Sequence, residues 1–223
     1  MIVFATARPE RATRHLQMDS ILSYVIANNG ATIISHGKCI QNIPIPEKVH
    51  HSLITQFVTN DNIIGMTVEV GDYVYTNDKE YKKWSSDADW NPVITDFFTP
   101  IKEEVCKISV DCANSESILN ITNHYPDVYV LPNNGENWHQ IMHYTSSKFN
   151  AITYLSKLTG IAVEDIISFG DDFNDVEMLQ KCGVGVAVEN AIDDAKAAAN
   201  FICSTNDNDG VAKFIEKYIL CNE

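Results

Sequence analysis

The chain has 223 residues, 45% of them hydrophobic and 21% charged, with a formal net charge of -14. This composition excludes intrinsic disorder, and so acidic a surface repels nucleic acid and anionic lipid, so no nucleic-acid partner is expected. The six cysteines form no C-x-x-C pair, no signal peptide opens the chain, and no stretch approaches the ~20 apolar residues that span a membrane, so a reduced cytoplasmic protein is expected.

Ile2-Val3-Phe4-Ala5 reads as a buried strand that breaks at Thr6-Ala7-Arg8-Pro9. Pro9 suits the first turn of a helix over residues 11–18. Tyr24-Val25-Ile26-Ala27 is a second apolar strand, closed by the turn signal Asn28-Asn29-Gly30. Strand, helix and strand at this spacing predict a βαβ unit in a parallel sheet.

From residue 37 to 144 the rhythm changes. A strand is expected over residues 40–45 and a helix over 47–59. Two strands, 63–70 and 73–75, flank the hairpin signal Gly71-Asp72. Further strands fall at 105–110, 128–131 and 137–144, with a helix over 115–124. The block reads as an α+β domain inserted into the first. Its tryptophans, Trp84, Trp90 and Trp138, suit either a substrate pocket or packing. His139 and His143 lie on a strand, where their spacing does not suit zinc. The parallel rhythm returns at Lys148, with a helix over 149–158, a strand over 166–169, a helix over 176–181 and a strand over 184–188. A helix over 191–199, a strand over 201–203 and a last helix over 211–220 complete it.

The strongest chemical signal is Gly170-Asp171-Asp172-Phe173-Asn174-Asp175, a loop between an apolar strand and a helix. Ligands of open α/β sheets bind at the carboxyl ends of parallel strands. Clustered carboxylates there suit Mg²⁺, although Asp172 or Asn174 in the role of a helix cap explains the letters equally well. Likewise Thr6 suits a helix N-cap, and Lys148 a solvated surface lysine. Asp207-Asn208-Asp209-Gly210 resembles a calcium loop, but its downstream glutamate is misplaced, so a turn before the last helix is expected.

Taken in order, these segments resemble the phosphatases of the haloacid dehalogenase superfamily, Cof-like branch. Thr6-Ala7-Arg8-Pro9 is similar to the second motif of that family, with alanine at Ala7 where glycine is usual, and Asn29-Gly30-Ala31 follows it. Ser147-Lys148 before a helix is similar to the third motif. Gly170 to Asp175, then Gly183-Val184-Gly185-Val186-Ala187-Val188-Glu189-Asn190-Ala191 and Asp209-Gly210-Val211, resemble the fourth motif and the tail.

The resemblance implies an α/β fold: a Rossmann-like parallel core from residues 1–36 and 145–223, with an α+β cap at 37–144. It implies a Mg²⁺-dependent phosphatase of small phosphorylated metabolites such as sugar phosphates. Thr6, Lys148 and Asn174 would contact the phosphoryl group, Asp175 would steady Lys148 or the waters of the metal, and Asp171 would bind Mg²⁺. The family's first motif, a D-x-D whose first aspartate is the nucleophile, does not precede Thr6, and Asp87-Ala88-Asp89 lies in a polar stretch unsuited to the role. The first core strand is therefore expected to be missing and activity absent or impaired. Either the strands on both sides of the gap close up and pair, or another chain fills it, and the exposed seam favours self-association. A non-catalytic protein that binds a phosphometabolite or a partner is the alternative.

Overall fold

A computed structural model describes residues 1–17, 22–78, 92–132 and 137–220. The fold is mixed α/β and divides into two compact units, Met1–Ser146 and Ser147–Glu223. The sequence reading grouped residues 1–36 with 145–223.

In the first unit β1 (Ile2–Ala5) pairs in parallel with β2 (Leu22–Ala27). Between them stand a 3-10 turn, Glu10–Thr13, and the short helix α1 (Arg14–Gln17). The helix expected over 11–18 is thus divided, and its last residue lies outside the described residues. Pro9 holds the N-cap position, where its missing N–H costs nothing. The Asn28-Asn29-Gly30 turn leads into β3 (Thr32–Ser35), which turns back antiparallel onto β2, and β4 (Lys38–Asn42) follows antiparallel on β3. This β2–β3–β4 meander was not foreseen. Thr32-Ile33-Ile34-Ser35 is too short to show an alternation of its own.

Helix α2 (Glu47–Val58) follows, and the expected hairpin forms as β5 (Ile63–Val70) and β6 (Tyr73–Thr76) around Gly71. Next come β7 (Val93–Ile94), β8 (Lys107–Cys112), α3 (Ser115–Thr122), β9 (Val128–Pro132) and β10 (Trp138–His143). The six strands form one sheet in the order β7-β6-β5-β8-β10-β9. Leu53 and Phe57 of α2 and Ile118 of α3 pack with Met66, Val68, Ile108, Val110 and Ile141 of the sheet into one buried cluster. Asp87-Ala88-Asp89, Trp84 and Trp90 lie outside the described residues.

The second unit alternates as a parallel α/β chain should. It runs α4 (Lys148–Thr159), β11 (Ile167–Gly170), α5 (Val176–Lys181), β12 (Val184–Val188), α6 (Asp193–Ala198), β13 (Phe201–Cys203) and α7 (Gly210–Ile215). The strands are parallel in the order β11-β12-β13. Gly160, at φ 75°, closes α4 in the left-handed conformation that a side chain would oppose. Among the described residues β1 and β11 each stand at the end of the strand order of their own sheet. No helix among the described residues is long and apolar enough to cross a membrane.

His50 on α2 is 1% exposed, and its Nδ1 has no hydrogen-bond partner among the described residues. Burial, reinforced by the neighbouring His51, pushes its imidazole down to about 4, against a weaker opposing pull from Glu47. The folded state therefore holds His50 neutral while the unfolded chain takes up a proton near its ordinary pKa of about 6.5. The stability this contributes is complete above pH 6.5 and is lost as pH falls from there toward 4. In urea unfolding at pH 7.5 and 5.5, His50→Leu is expected to lose about 1 kcal/mol less than the natural protein on acidification. An equal loss in both proteins would contradict this.

Candidate active site

The first cluster is the loop after β1. Thr6 N–H donates to Ile26 O at 2.8 Å, and Thr6 Oγ1 accepts from Arg8 N–H at 3.1 Å. The hydroxyl therefore closes a local turn and does not cap a helix, the position that Pro9 takes. All three carbonyls of Thr6-Ala7-Arg8 are captured. Asn29 N–H donates to Thr6 O at 3.0 Å, Lys107 Nζ to Ala7 O at 2.9 Å and Asn28 N–H to Arg8 O at 2.9 Å. Asn28 and Asn29 reach the loop with φ of 49° and 54°, a left-handed geometry that asparagine tolerates better than most residues. Thr6 is thus a half-buried side chain on a loop with little freedom left.

The second cluster, in the other unit, surrounds the end of β11. Asp172 accepts from Phe173 N–H at 2.8 Å and joins Asp175 in a capping box that starts the 3-10 turn Phe173–Asp175. The cap reading of Asp172 is therefore right. It does not exhaust the motif, because Asp175 is only 2% exposed and both its oxygens are engaged. Asp175 Oδ2 accepts from the N–H groups of Asp171 and Asp172 at 3.0 and 3.3 Å, while Oδ1 accepts from Lys148 Nζ at 2.6 Å. Lys148 is itself buried at 6% exposure, so the solvated-lysine reading is wrong. It is the first residue of α4, whose N-cap Ser147 accepts from Asn150 N–H at 3.0 Å and donates to Glu177 at 3.0 Å.

Gly170 makes this approach possible. A Cβ there would sit 2.5 Å from Asp175 Cβ, closer than real atoms approach. Sequence reading took Gly170 only as the head of the motif and Asn28 only as the start of a turn, and it passed over Lys107 altogether. Gly-Asp at a strand end was the available signal for the first, and the polar letter in the strand 105–110 gave none for Lys107.

Asp171 differs from its neighbours. It is exposed, and its backbone is tied down, its N–H donating to Asp175 Oδ2 and its carbonyl accepting from Ile192 N–H at 2.9 Å. Partial loss of water around the carboxyl pushes its pKa up, Asp175 and then Asp172 add to the rise, and Lys148 opposes it. A carboxylate crowded by two others is one that gains from a cation. Asn174 is half-buried on the same turn. Lys148, Asp171, Asp172, Asn174 and Asp175 thus share one loop-and-helix corner, and Thr6 belongs to the first unit.

Removing one member of a buried ion pair leaves the other charge uncompensated, at a cost of about 3–5 kcal/mol. Lys148→Met is expected to destabilise by that order. Combining it with Asp175→Asn should cost less than the sum of the two single changes by at least about 1 kcal/mol. Additive costs in urea unfolding would mean the pair is not coupled.

A family model of haloacid dehalogenase-like hydrolases matches residues 1–215. The 5-amino-6-(5-phospho-D-ribitylamino)uracil phosphatase YitU of Bacillus subtilis is 25% identical over 229 residues, covering 97% of this chain and 84% of that protein. The pyridoxal phosphate phosphatase YbhA of Escherichia coli is 39% identical over 75 residues, 34% of this chain and 28% of that protein. A solved structure from Streptococcus mutans superposes with a TM-score of 0.84 at 24% identity, covering 98% of this chain and 85% of that one. The subclass IIB sugar phosphatase BT4131 gives a TM-score of 0.84 at 22% identity, covering 97% and 85%. The two structures share the fold, and the matched family model spans nearly the whole sequence: the chain belongs to the haloacid dehalogenase-like hydrolases.

Proposed function

We propose that this chain binds the phosphoryl group of a small phosphorylated metabolite in the manner of a Mg²⁺-dependent phosphatase. Thr6, Lys148 and Asn174 would contact phosphoryl oxygens, Asp175 would hold Lys148, and Asp171 would face the metal. Residues 1–36 and 145–223 as one core, with 37–144 as its cap, belong to the same proposal. The observation that carries it is the buried Lys148–Asp175 pair beside an exposed Asp171 at the end of a parallel strand. An ammonium held at 2.6 Å by a carboxylate keeps its direction, as a group that contacts phosphate must. The relatives YitU and YbhA, both named for phosphorylated small molecules, support the substrate class.

Among the described residues no three His, Cys, Asp or Glu side chains form a metal-holding group. Mg²⁺ does not need one, since it keeps several waters and takes one or two carboxylates plus phosphate oxygens. The Asp171 side chain is exposed while both Asp175 oxygens are engaged, so Asp171 is the residue that would hold it. Bound there, the ion would neutralise charge on the phosphoryl oxygens.

The chain's own side chains bind and orient; what they lack is an attacking group. Hydrolysis through an aspartyl-phosphate needs a carboxylate nucleophile, and in these 223 residues no D-x-D ends an apolar strand. This favours a second reading, in which the 223-residue polypeptide binds phosphometabolites without turning them over. The free edges of β1 and β11, with Ile2, Phe4 and Ile167 exposed, support self-association through strand edges.

With Mg²⁺ and p-nitrophenyl phosphate, turnover is expected at least about 100-fold below that of purified YitU, since loss of a nucleophile costs orders of magnitude. Inorganic phosphate should still bind at millimolar concentration, and more weakly in Asp171→Ala. Turnover equal to that of YitU and abolished by Asp171→Ala would overturn the impaired-activity reading. Absence of phosphate binding would overturn the phosphate reading itself.

A further inference from the structure

Two kinds of donor hold the Thr6 loop. The flanking carbonyls, Thr6 O and Arg8 O, accept from the backbone N–H groups of Asn29 and Asn28. The middle carbonyl accepts from a side chain of another sheet in the same compact unit, since Lys107 Nζ donates to Ala7 O at 2.9 Å. Lys107 is the first residue of β8 and stands 100 positions from Ala7 along the chain.

Burying an ammonium is costly unless its surroundings compensate it. Here they are built from charge. Glu69 of β5 stands opposite Lys107 in the strand register. Arg11, on the turn that follows the loop, donates to both Glu69 oxygens at 2.5 and 3.3 Å. Arg11, Glu69 and Lys107 are 8%, 5% and 7% exposed. Burial pushes the Lys107 ammonium down, Glu69 opposes the shift, Arg11 reinforces it, and Cys106 opposes it weakly. Within this trio two cations share one carboxylate. Arg11 occupies that carboxylate on both oxygens, and Lys107 is directed onto a carbonyl of the loop.

The carbonyl it takes is the informative one. The Ala7–Arg8 peptide is planar and trans, so its C=O and its N–H point in opposite directions and can only turn together. That N–H is the group that donates to Thr6 Oγ1 at 3.1 Å. Lys107, at one end of the plane, therefore sets the direction of the donor at the other end. A cation on the C=O also polarises the amide and strengthens its N–H as a donor. With one lone pair of Oγ1 taken by Arg8 N–H, the hydroxyl hydrogen of Thr6 is turned away from that N–H and toward another acceptor. Thr6 is half-buried, so part of its surface stays open.

We propose that Lys107 is a positioning residue: through the Ala7–Arg8 peptide it aims the hydroxyl hydrogen of Thr6 at a phosphoryl oxygen. This rests on the phosphate reading of Thr6. Lys107 acts at one remove, on the loop and not on the ligand.

The test is a double-mutant cycle read in affinity for inorganic phosphate, by isothermal titration of the full 223-residue protein with Mg²⁺. Thr6→Val is expected to weaken binding at least about tenfold, as loss of a hydrogen bond to a charged group does. Lys107→Met should weaken it at least about fivefold, and Thr6→Val made in that background should add less than about twofold. A merely structural lysine would lower stability in urea and leave the contribution of Thr6 to affinity whole. If the methionine variant fails to fold by circular dichroism, Lys107→Gln, with a polar but shorter side chain, carries the cycle. Unchanged phosphate affinity in Lys107→Met, or costs that add in full, overturns the proposal and leaves the phosphate reading standing. Absence of phosphate binding by the natural protein overturns both.

Discussion

The contact on which the rest depends is the ion pair between Lys148 and Asp175. Withdrawing an ammonium and a carboxylate from water costs several kcal/mol per ion, and mutual attraction repays this only when the remaining hydrogen-bonding capacity is filled. Here it is filled on the acidic side: Asp175 takes Lys148 on one oxygen and two backbone N–H groups on the other. That arrangement dictates its surroundings. Gly170 must lack a side chain, Ser147 must start α4 so that Lys148 is its first residue, and Asp172 must cap the next turn. Asp171 is then left as the one carboxylate of the loop that faces solvent.

A comparable logic holds in the first unit, with backbone in place of charge. Three consecutive carbonyls after β1 are each satisfied by a donor, two of them from the left-handed Asn28-Asn29 turn. The loop is fixed by saturation of its acceptors, which positions Thr6, whose hydroxyl accepts from Arg8 N–H. In both units a polar side chain, Thr6 in one and Asp171 in the other, stands on a short segment after a parallel strand, and hydrogen bonds hold the backbone that carries it.

How much of this was legible beforehand follows from the kind of information each feature carries. The parallel half was readable because β11 and β12 are short β-branched or small apolar runs set between helical spacings, and because Gly170 to Asp175 interrupts that rhythm with carboxylates. The hairpin at Gly71 was readable from local turn chemistry. The meander of β3 and β4 was not, since its reversal at His36-Gly37 depends on positive φ at both residues and on pairing across the sheet. Burial of Lys148 was hidden for another reason: a lysine before a helix reads as solvated, and only the tertiary placement of Asp175 makes its burial tolerable. Glu69 and Lys107 alternate with apolar residues, a pattern that ordinarily marks a solvated face; in the fold both are buried, Glu69 taking Arg11 and Lys107 reaching the carbonyl of Ala7. Alternation identifies two faces but does not say which of them meets water.

The central claim is that Thr6, Lys148 and Asp171 serve one phosphoryl group. Its most direct measurement is anomalous diffraction from crystals soaked with tungstate and Mn²⁺, heavy stand-ins for phosphate and Mg²⁺. The account predicts one tungstate peak within hydrogen-bonding distance of both Thr6 Oγ1 and Lys148 Nζ, with the Mn²⁺ peak on an Asp171 oxygen. Tungstate bound at one of the two side chains and far from the other, or Mn²⁺ held away from Asp171, would contradict it.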